Sequence, residues 1–533
     1  MGMRSFRPGT LAIIVAIILS ACTANQPTTP GQPTTAGTAN VRDDLRIAVA
    51  SLGTEAFDPI KSPNNNIYLK LIFDSIVGSD YSGTKTSKDT GLAKDWTGST
   101  DSKTWTFILR QGVKFHNGDE VTSEDVKFSL ERRNSPGALL TTVAKDIERV
   151  TVKGPYEVEV NLKVPLPLLP LMLTDVFNVF GYVVPKKYVE QVGVAEFNLK
   201  PIGSGPYKLL ERQTGAFVKL EQAFPEHFAV GKPRFKRVTF NLVSEESSRV
   251  AMLRAKDTDF IDIGLNSVAQ LQKDGFKTFR HGLRDSLWFW FQLQRPDEPT
   301  RDLNLRKALS YAVNREAINA NLLGGLGQVT SNVFPGQPGV KDAPADPYDV
   351  AKAKDLMAQT DFRPGGKKLT LKLQVTQRPG WPQMLTIAAA LQTYWQKIGV
   401  DSEVIYRDYG AFRTEWGAGK LPSPSVQLLN LPGTMEWSFI ANIHNTCKAV
   451  LSSVCDPELD KLVAAWTSAP NQQEYERLAA EAEKYVREHY YVVTIANMGV
   501  LFAGNDQIAD GYSPGFTYAG FNERALVSNP PQK

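Results

Sequence analysis

Residues 91–133 read GLAKDWTGSTDSKTWTFILRQGVKFHNGDEVTSEDVKFSLERR, and the signals that decide the fold are concentrated in this stretch. Trp105, Phe107 and Leu109 occupy alternate positions, which is the period of a β-strand with one buried face. The block DSKTWTFILRQGVKF is predicted to form a hairpin, because Gly112 allows a turn that a Cβ atom would hinder. The first half of the stretch is therefore predicted to be antiparallel sheet.

Helix start signals follow the predicted sheet. In TSEDVKFSLERR, Thr122 and Asp125 have the spacing of a capping box ahead of an apolar stripe. Asn471 and Glu474 repeat that spacing before another stripe. The segment NLRKALSYAV, from Asn304, places its apolar residues on one helical face. These segments are predicted to be helices.

The whole chain mixes the two kinds of element, so we predict an α/β fold with mixed sheets and flanking helices. Residues 156–164, for example, alternate apolar and polar side chains as a half-buried strand does. With 533 residues, 42% of them hydrophobic, the chain is long enough for two or three folded lobes. Its net charge of +4 comes from interspersed charges, which disfavours nucleic acid as a partner.

The N-terminus has the pattern of an export signal. Arg4 and Arg7 precede the apolar run LAIIVAIIL at 11–19, which spans only about 14 Å as a helix, against the ~30 Å of a bilayer core. Leu-Ser-Ala-Cys22 then resembles the lipobox of bacterial lipoproteins, whose cysteine is acylated after cleavage. The alternative is an ordinary signal peptide with a chance cysteine. We predict a signal peptide at 1–21 and a lipid-anchored flexible linker at 22–40, rich in Pro, Thr and Gly.

The other two cysteines, Cys447 and Cys455, lie eight positions apart in a chain predicted to be exported, where disulfides persist. A disulfide between them would close a small loop. A zinc site is the weaker alternative, because only His444 lies close by and zinc needs about four ligands.

Enzymatic motifs are scarce. The sequence contains no HExxH, no G-x-S-x-G and no G-x-x-x-x-G-K-[ST] pattern. His116 precedes Asn117-Gly118, which is strong turn chemistry, so a structural role is predicted for it. A pair of distant carboxylates could still assemble a hydrolase, so that alternative stays open. We predict no catalytic residue, no metal site and no cofactor.

The quoted stretch closely resembles the signature of the family 5 extracellular solute-binding proteins, which capture substrates for ABC importers of oligopeptides, dipeptides, nickel chelates and some oligosaccharides. Four more blocks resemble the same family in the same order: PIGSGPYKLLE at 201–211, DLNLRKALSYAVNREAI at 302–318, DPYDVAKAKDLMAQ at 346–359 and CDPELDKLVAAW at 455–466. The resemblance covers almost the whole chain after the linker.

The resemblance implies a two-lobed periplasmic-binding-protein fold of class II, with an extra inserted domain. Domain I would comprise 41–75, 170–283 and 490–533; the inserted domain II, 76–169; and domain III, the second lobe of the ligand cleft, 284–489. Two chain crossings between the lobes would act as a hinge that closes around the ligand.

Peptide-binding members hold the ligand's ammonium group with an Asp, and this sequence departs from that pattern. The equivalent segment, VQLLNLPGTMEWSFIANIHN, has no Asp, and its nearest acid is Glu436. An unpaired buried cation is costly, so binding of free-amino peptides is placed in question, although Glu436 could substitute.

Tryptophans suggest another kind of ligand contact. Trp288, Trp290, Trp416 and Trp437 are candidate cleft residues, and packing is the alternative for each of them. In LWFWFQ, Trp288 and Trp290 share one face of a strand, so we expect one aromatic pair of this strand to face the cleft and the other the core. A cleft wall of aromatic side chains favours an oligosaccharide or a blocked or hydrophobic peptide as the ligand.

The sequence thus predicts the solute-binding subunit of an ABC importer, which captures an oligopeptide, a blocked or hydrophobic peptide or an oligosaccharide and delivers it to a membrane permease. It would be exported, held by lipid at the outer face of the cell membrane or in a periplasm, and monomeric. The alternatives are a stand-alone receptor for sensing and a secreted hydrolase.

Overall fold

A computed structural model describes residues 43–62, 67–80, 85–136, 138, 143–175, 179–376, 383–431, 441, 444–449, 451–505, 508 and 523–528. Of residues 281, 283–285, 430, 431 and 525, only the backbone is described. The predicted signal peptide and linker, with Cys22, lie outside the described residues.

A ten-stranded mixed sheet runs through the described part of the chain, in the order β14-β13-β15-β12-β16-β11-β1-β10-β9-β8. Its strands are β1 (Asp44–Val49), β8 (Tyr207–Gln213), β9 (Phe217–Gln222), β10 (Arg237–Leu242), β11 (Phe260–Ile263), β12 (Lys277–Phe291), β13 (Thr370–Thr376), β14 (Asp401–Arg407), β15 (Ser425–Leu431) and β16 (Val492–Gly504).

The long strands β12 and β16 join the two halves of this sheet. β16 pairs with β11 at its end, and β12 pairs with β15 from Ser286 onward. The antiparallel pairing of β12 with β16 shifts register between His281 and Asp285. The predicted boundary between domains I and III, at 283/284, falls within that irregular segment.

A four-stranded antiparallel sheet, in the order β4-β5-β7-β6, forms a separate layer. It consists of β4 (Ala93–Gly98), β5 (Thr104–Leu109), β6 (Ile147–Gly154) and β7 (Glu157–Leu162), and β2 (Gly78–Ser79) pairs with β3 (Thr86–Ser87) beside it in sequence.

The predicted strands at 105–109 and 156–164 are confirmed in β5 and β7, although Trp105 is only half-buried, and β7 ends at Leu162, so that Val164 is exposed. The predicted hairpin partner is wrong, because β5 pairs with β4 and β7 and not with 113–115. Gly112, at φ +78°, turns the chain away, and the Val121 amide then donates to the Val113 carbonyl at 2.9 Å. The segment 113–121 thus closes a small hairpin of its own.

The predicted helix starts are confirmed. The Thr122 amide donates to Asp125 Oδ2 at 2.9 Å in a complete capping box, and Asn471 Oδ1 accepts from the Glu474 amide at 2.9 Å. The helix predicted from Asn304 begins one residue earlier, since Asp302 is its cap.

The helices described are α1 (Leu69–Ile72), α2 (Ser123–Glu131), α3 (Leu169–Met172), α4 (Lys186–Leu199), α5 (Glu246–Arg254), α6 (Leu265–Lys273), α7 (Leu303–Tyr311), α8 (Arg315–Leu322), α9 (Val350–Met357), α10 (Met384–Gln396), α11 (Tyr409–Gly417), α12 (Pro457–Thr467), α13 (Gln472–Glu488) and α14 (Glu523–Val527). Within the described ranges, no helix has the length and apolar character needed to cross a membrane.

Candidate functional site

The carboxyl ends of three parallel strands identify the place where a ligand is expected. β13 pairs in parallel with both β14 and β15, and these strands end at Thr376, Arg407 and Leu431. In α/β sheets, ligands bind outside the carboxyl ends of the strands. The segments that follow β13 and β15, 377–382 and 432–440, lie outside the described residues, and so do the predicted ligand residues Glu436 and Trp437.

A row of polar side chains crosses the sheet just below this edge. Gln374 of β13, Gln427 of β15 and Trp290 of β12 are neighbours in register, and their exposed fractions are 0%, 0% and 1%. We call these three residues the polar row. Among the described residues, Gln374 Oε1, both amide atoms of Gln427 and Trp290 Nε1 have no hydrogen-bond partner.

An unsatisfied buried polar group costs about 1–3 kcal/mol, and native structures hold few of them. Thr376 Oγ1, two residues beyond Gln374 on the same face of β13, is another such atom in the described part of the chain. A concentration of such atoms near the edge where a ligand is expected indicates groups that hydrogen-bond to a ligand or to water.

An aromatic cluster covers one side of the polar row. The rings of Trp288 and Trp290 stack with centroids 5.4 Å apart, and Trp290 also contacts Trp416 at 5.8 Å and His444 at 4.6 Å. Trp416 and His444 stack at 4.9 Å. Burial lowers the pKa of His444 to about 3, although its bond to the Leu451 carbonyl opposes this shift. The imidazole is therefore neutral at pH 7.

The loop between Cys447 and Cys455 holds this aromatic cluster in place. The structure joins Cys447 to Cys455, the pair that the sequence analysis favoured over a zinc site. Within the loop, Ser453 donates its amide to the His444 carbonyl at 2.9 Å, and Trp416 Nε1 donates to the Ser452 carbonyl at 3.3 Å. The described residues contain no group of three or more His, Cys, Asp and Glu side chains placed to hold a metal ion.

The tryptophans predicted for the cleft are packed where the structure describes them. Trp288, Trp290 and Trp416 are 0%, 1% and 3% exposed, so no ring face is open to stack on a ligand. All three tryptophans are therefore packing residues in this state, and their contact with a ligand stays a prediction. Phe289 faces the opposite side of β12, where it packs on Trp395 at 5.6 Å.

Sequence reasoning missed Gln374 and Gln427. The available signal was a glutamine in each of two strand patterns, TLKLQVT and SVQLLNL, at a position where the neighbours on both sides are apolar.

His116, in contrast, has the structural role predicted for it, because its Nε2 lies 2.9 Å from the Gly205 carbonyl and its Nδ1 accepts from the Gly203 amide at 3.3 Å.

This arrangement is that of a binding protein: a large mixed sheet, a smaller sheet, and buried polar groups near the carboxyl edge. The sequence profile of the Bacterial extracellular solute-binding proteins, family 5 Middle, matches residues 89–433. The chain therefore belongs to the family 5 extracellular solute-binding proteins.

Individual relatives agree with that assignment. Di/tripeptide-binding protein 3 of Pseudomonas aeruginosa (strain UCBPP-PA14) is 25% identical over 516 residues, which cover 89% of this chain and 93% of the relative. The nickel-binding periplasmic protein of Escherichia coli (strain K12) is 27% identical over 420 residues, covering 70% of this chain and 76% of the relative.

Solved structures share the fold. The ABC transporter substrate binding protein CtaP of Listeria monocytogenes superposes with a TM-score of 0.78 at 20% identity, covering 91% of this chain and 99% of that one. NikZ of Campylobacter jejuni, in complex with Ni(L-His), gives a TM-score of 0.72 at 23% identity, covering 92% and 100%.

Proposed function

We propose that this chain captures a small solute outside the cytoplasm and delivers it to the permease of an ABC importer. Family membership supports solute binding, and the Listeria monocytogenes neighbour is an ABC transporter substrate binding protein by name. The relatives are binding proteins, which favours capture over the hydrolase alternative. A stand-alone receptor for sensing remains the second candidate, and a permease encoded beside this chain would argue against it.

Capture would proceed by closure of two lobes. The strands on one side of β12 and β16 belong to the proposed domain I, and β13, β14 and β15 belong to the proposed domain III. By these bounds the chain crosses between the lobes within β12, at 283/284, and just before β16, at 489/490, and the irregular register at 281–285 is the place where β12 can bend. The closed form is favoured only by contacts that both lobes make with the ligand at once.

The polar row is the observation that carries the ligand assignment. Amide groups both donate and accept hydrogen bonds, and an indole N–H donates. None of the three side chains is charged, so they complement the uncharged body of a ligand. A peptide backbone or a row of sugar hydroxyls has that chemistry, which agrees with an oligopeptide, a blocked or hydrophobic peptide or an oligosaccharide. The tryptophan candidates and Glu436 would contribute only in the closed, ligand-bound state.

Ligand titration into a variant of the polar row tests this assignment. The double substitution Gln374→Met/Gln427→Met keeps the side-chain volume and removes the amides. We expect solute affinity to fall at least about tenfold, while the ligand-free protein becomes no less stable, because unpaired buried amides are removed. Gln270→Met, on the surface of α6, is the matched control and should bind normally. An unchanged affinity in the double variant would show that the glutamines are only packing residues.

The N-terminal segment would keep the protein close to its permease. Acylated Cys22 would anchor the chain, and residues 23–40 would serve as a flexible tether for a monomeric receptor. Cys22→Ala should move the protein from the membrane fraction to the soluble fraction. Membrane retention of that variant would contradict the lipid anchor.

A further inference from the structure

A cavity lies beside the first residues of β16. Its volume is about 490 Å³, within the roughly 300–1,000 Å³ of small-molecule pockets. Val492 lines it and pairs with Trp290, which pairs in turn with Gln427, two residues from the start of β15. The cavity therefore lies level with the polar row, one strand beyond Trp290, but none of the polar-row residues lines it. Residues of α7, α8, α9 and α13 complete its wall.

A buried arginine stands at the base of this cavity with its hydrogen bonds already formed. Arg315 is 4% exposed; its Nε donates to the Thr494 carbonyl at 2.8 Å and its Nη2 to Ser310 Oγ at 2.6 Å. Asp346 is also occupied, because its oxygens accept from Ser310 Oγ at 2.8 Å and from Tyr490 Oη at 3.1 Å. These groups build a fixed polar wall.

Two lysines that line the cavity carry positive charge and take no part in these hydrogen bonds. Lys352 Nζ lies 3.9 Å from the ring centre of Tyr311, and Lys307 Nζ lies 6.0 Å from that of Tyr490. The hydrogen bond to Tyr311 raises the pKa of Lys352, so its ammonium group stays charged. Within the part of the chain that the structure describes, neither lysine has a carboxylate within ion-pair distance.

The remaining charges favour an anion. Four basic and two acidic residues line the cavity. Glu488 lies 3.9 Å from Lys484 and Arg487 lies 3.6 Å from Glu483, so within the cavity Asp346 is set against Lys307, Arg315 and Lys352. Val493 and Leu356 add apolar surface beside the tyrosine rings.

We propose that this cavity is a second binding site, for a small organic anion with a carboxylate or phosphate headgroup and an aromatic or apolar body. Lys307 and Lys352 bind the headgroup by moving from the tyrosine rings to the anion. The tyrosines, with Val493 and Leu356, pack against the body. A ligand here contacts α7, α8, α9, α13 and the first residues of β16, and it touches none of the three residues of the polar row.

Calorimetric titration of the mature chain with phenyl phosphate tests the proposal. Phenylacetate separates carboxylate from phosphate recognition, inorganic phosphate tests the headgroup alone, and benzyl alcohol tests the body alone. We expect saturable binding of at least one aromatic anion and clearly weaker binding of benzyl alcohol. Absence of saturable binding by both aromatic anions, or equal binding of the neutral alcohol, would overturn the proposal.

Variants locate the binding. Lys307→Gln/Lys352→Gln should weaken anion binding roughly tenfold or more, because each partly exposed charge pair is worth up to about a factor of five. Lys354→Gln, an exposed lysine of α9 outside the cavity wall, is the matched control and should bind as wild type. Equal binding by the double variant would refute the site. Gln374→Met/Gln427→Met should leave anion binding intact, so the result is independent of the solute-site proposal.

Discussion

Arg132 and Asp58 form an ion pair whose two charges are both withdrawn from water. Arg132 Nη1 and Nη2 donate to the two carboxylate oxygens at 3.0 and 2.6 Å, and the side chains are 6% and 0% exposed. Such a pair links the end of α2 to the segment after β1. Its contribution appears when one partner is removed, since the other charge is then buried without compensation.

Replacing Arg132 with Leu should therefore lower the free energy of unfolding by about 3–5 kcal/mol. Lys127→Leu is the control, because Lys127 forms an exposed pair with Glu131 on the same helix, at 3.8 Å, and such pairs contribute about 0–1 kcal/mol. Denaturant unfolding of both variants measures the difference. Equal losses in the two variants would contradict the importance assigned to the buried pair.

His444 predicts a dependence of stability on pH. Its pKa is lowered by burial to about 3 in the folded state and is about 6.5 when unfolded, so the unfolded chain binds more protons between these values. The histidine's contribution to stability is present above pH 6.5 and declines as the pH falls toward 3. The melting temperature of wild type should drop more steeply from pH 7 to 4 than that of His444→Asn, whose amide can still donate to the Leu451 carbonyl. Parallel curves would show that His444 does not titrate as described.

Among the structural elements, the loop between Cys447 and Cys455 holds in place the aromatic cluster that packs against the polar row. In the chain-entropy account, closing a loop of this length contributes about 2–3 kcal/mol. Cys447→Ser/Cys455→Ser should lose about that amount of unfolding free energy and weaken solute binding, because Ser453 and His444 are then held less firmly. Unfolding and titration under non-reducing conditions measure both effects. Cys22→Ser keeps the loop and should unfold as wild type.

The outcome of the sequence predictions also differs by element. Capping boxes and strand alternation were predictable because each depends on residues within a few positions of one another. The partner of β5 was not, because strand pairing depends on the tertiary fold, and Gly112 only permits a turn without choosing its direction. The polar row was missed for the same reason, since the burial of Gln374 and Gln427 results from strands far apart in sequence.

For the whole molecule, solute capture depends on movement about β12 and β16. Gly282 lies in the irregular segment at φ +67°, and Gly215, in the turn between β8 and β9, has a similar φ of +72°. A side chain in this conformation costs roughly 1–2 kcal/mol. Gly282→Ala and Gly215→Ala should lose similar stability, but only Gly282→Ala should change solute affinity, by about threefold or more. Equal affinities in both variants would argue against a hinge at this crossing.

The most direct test of the account is a thermal-shift screen of residues 41–533 against free-amino peptides, N-blocked peptides, oligosaccharides and nickel chelates, with Gln374→Met/Gln427→Met beside wild type. At about a hundred times the dissociation constant, a ligand adds roughly 2.7 kcal/mol of stability. We expect peptides or oligosaccharides to stabilise wild type and the double variant to lose most of this shift. Stabilisation by none of the four classes, or an undiminished shift in the double variant, would contradict capture of a solute at the polar row.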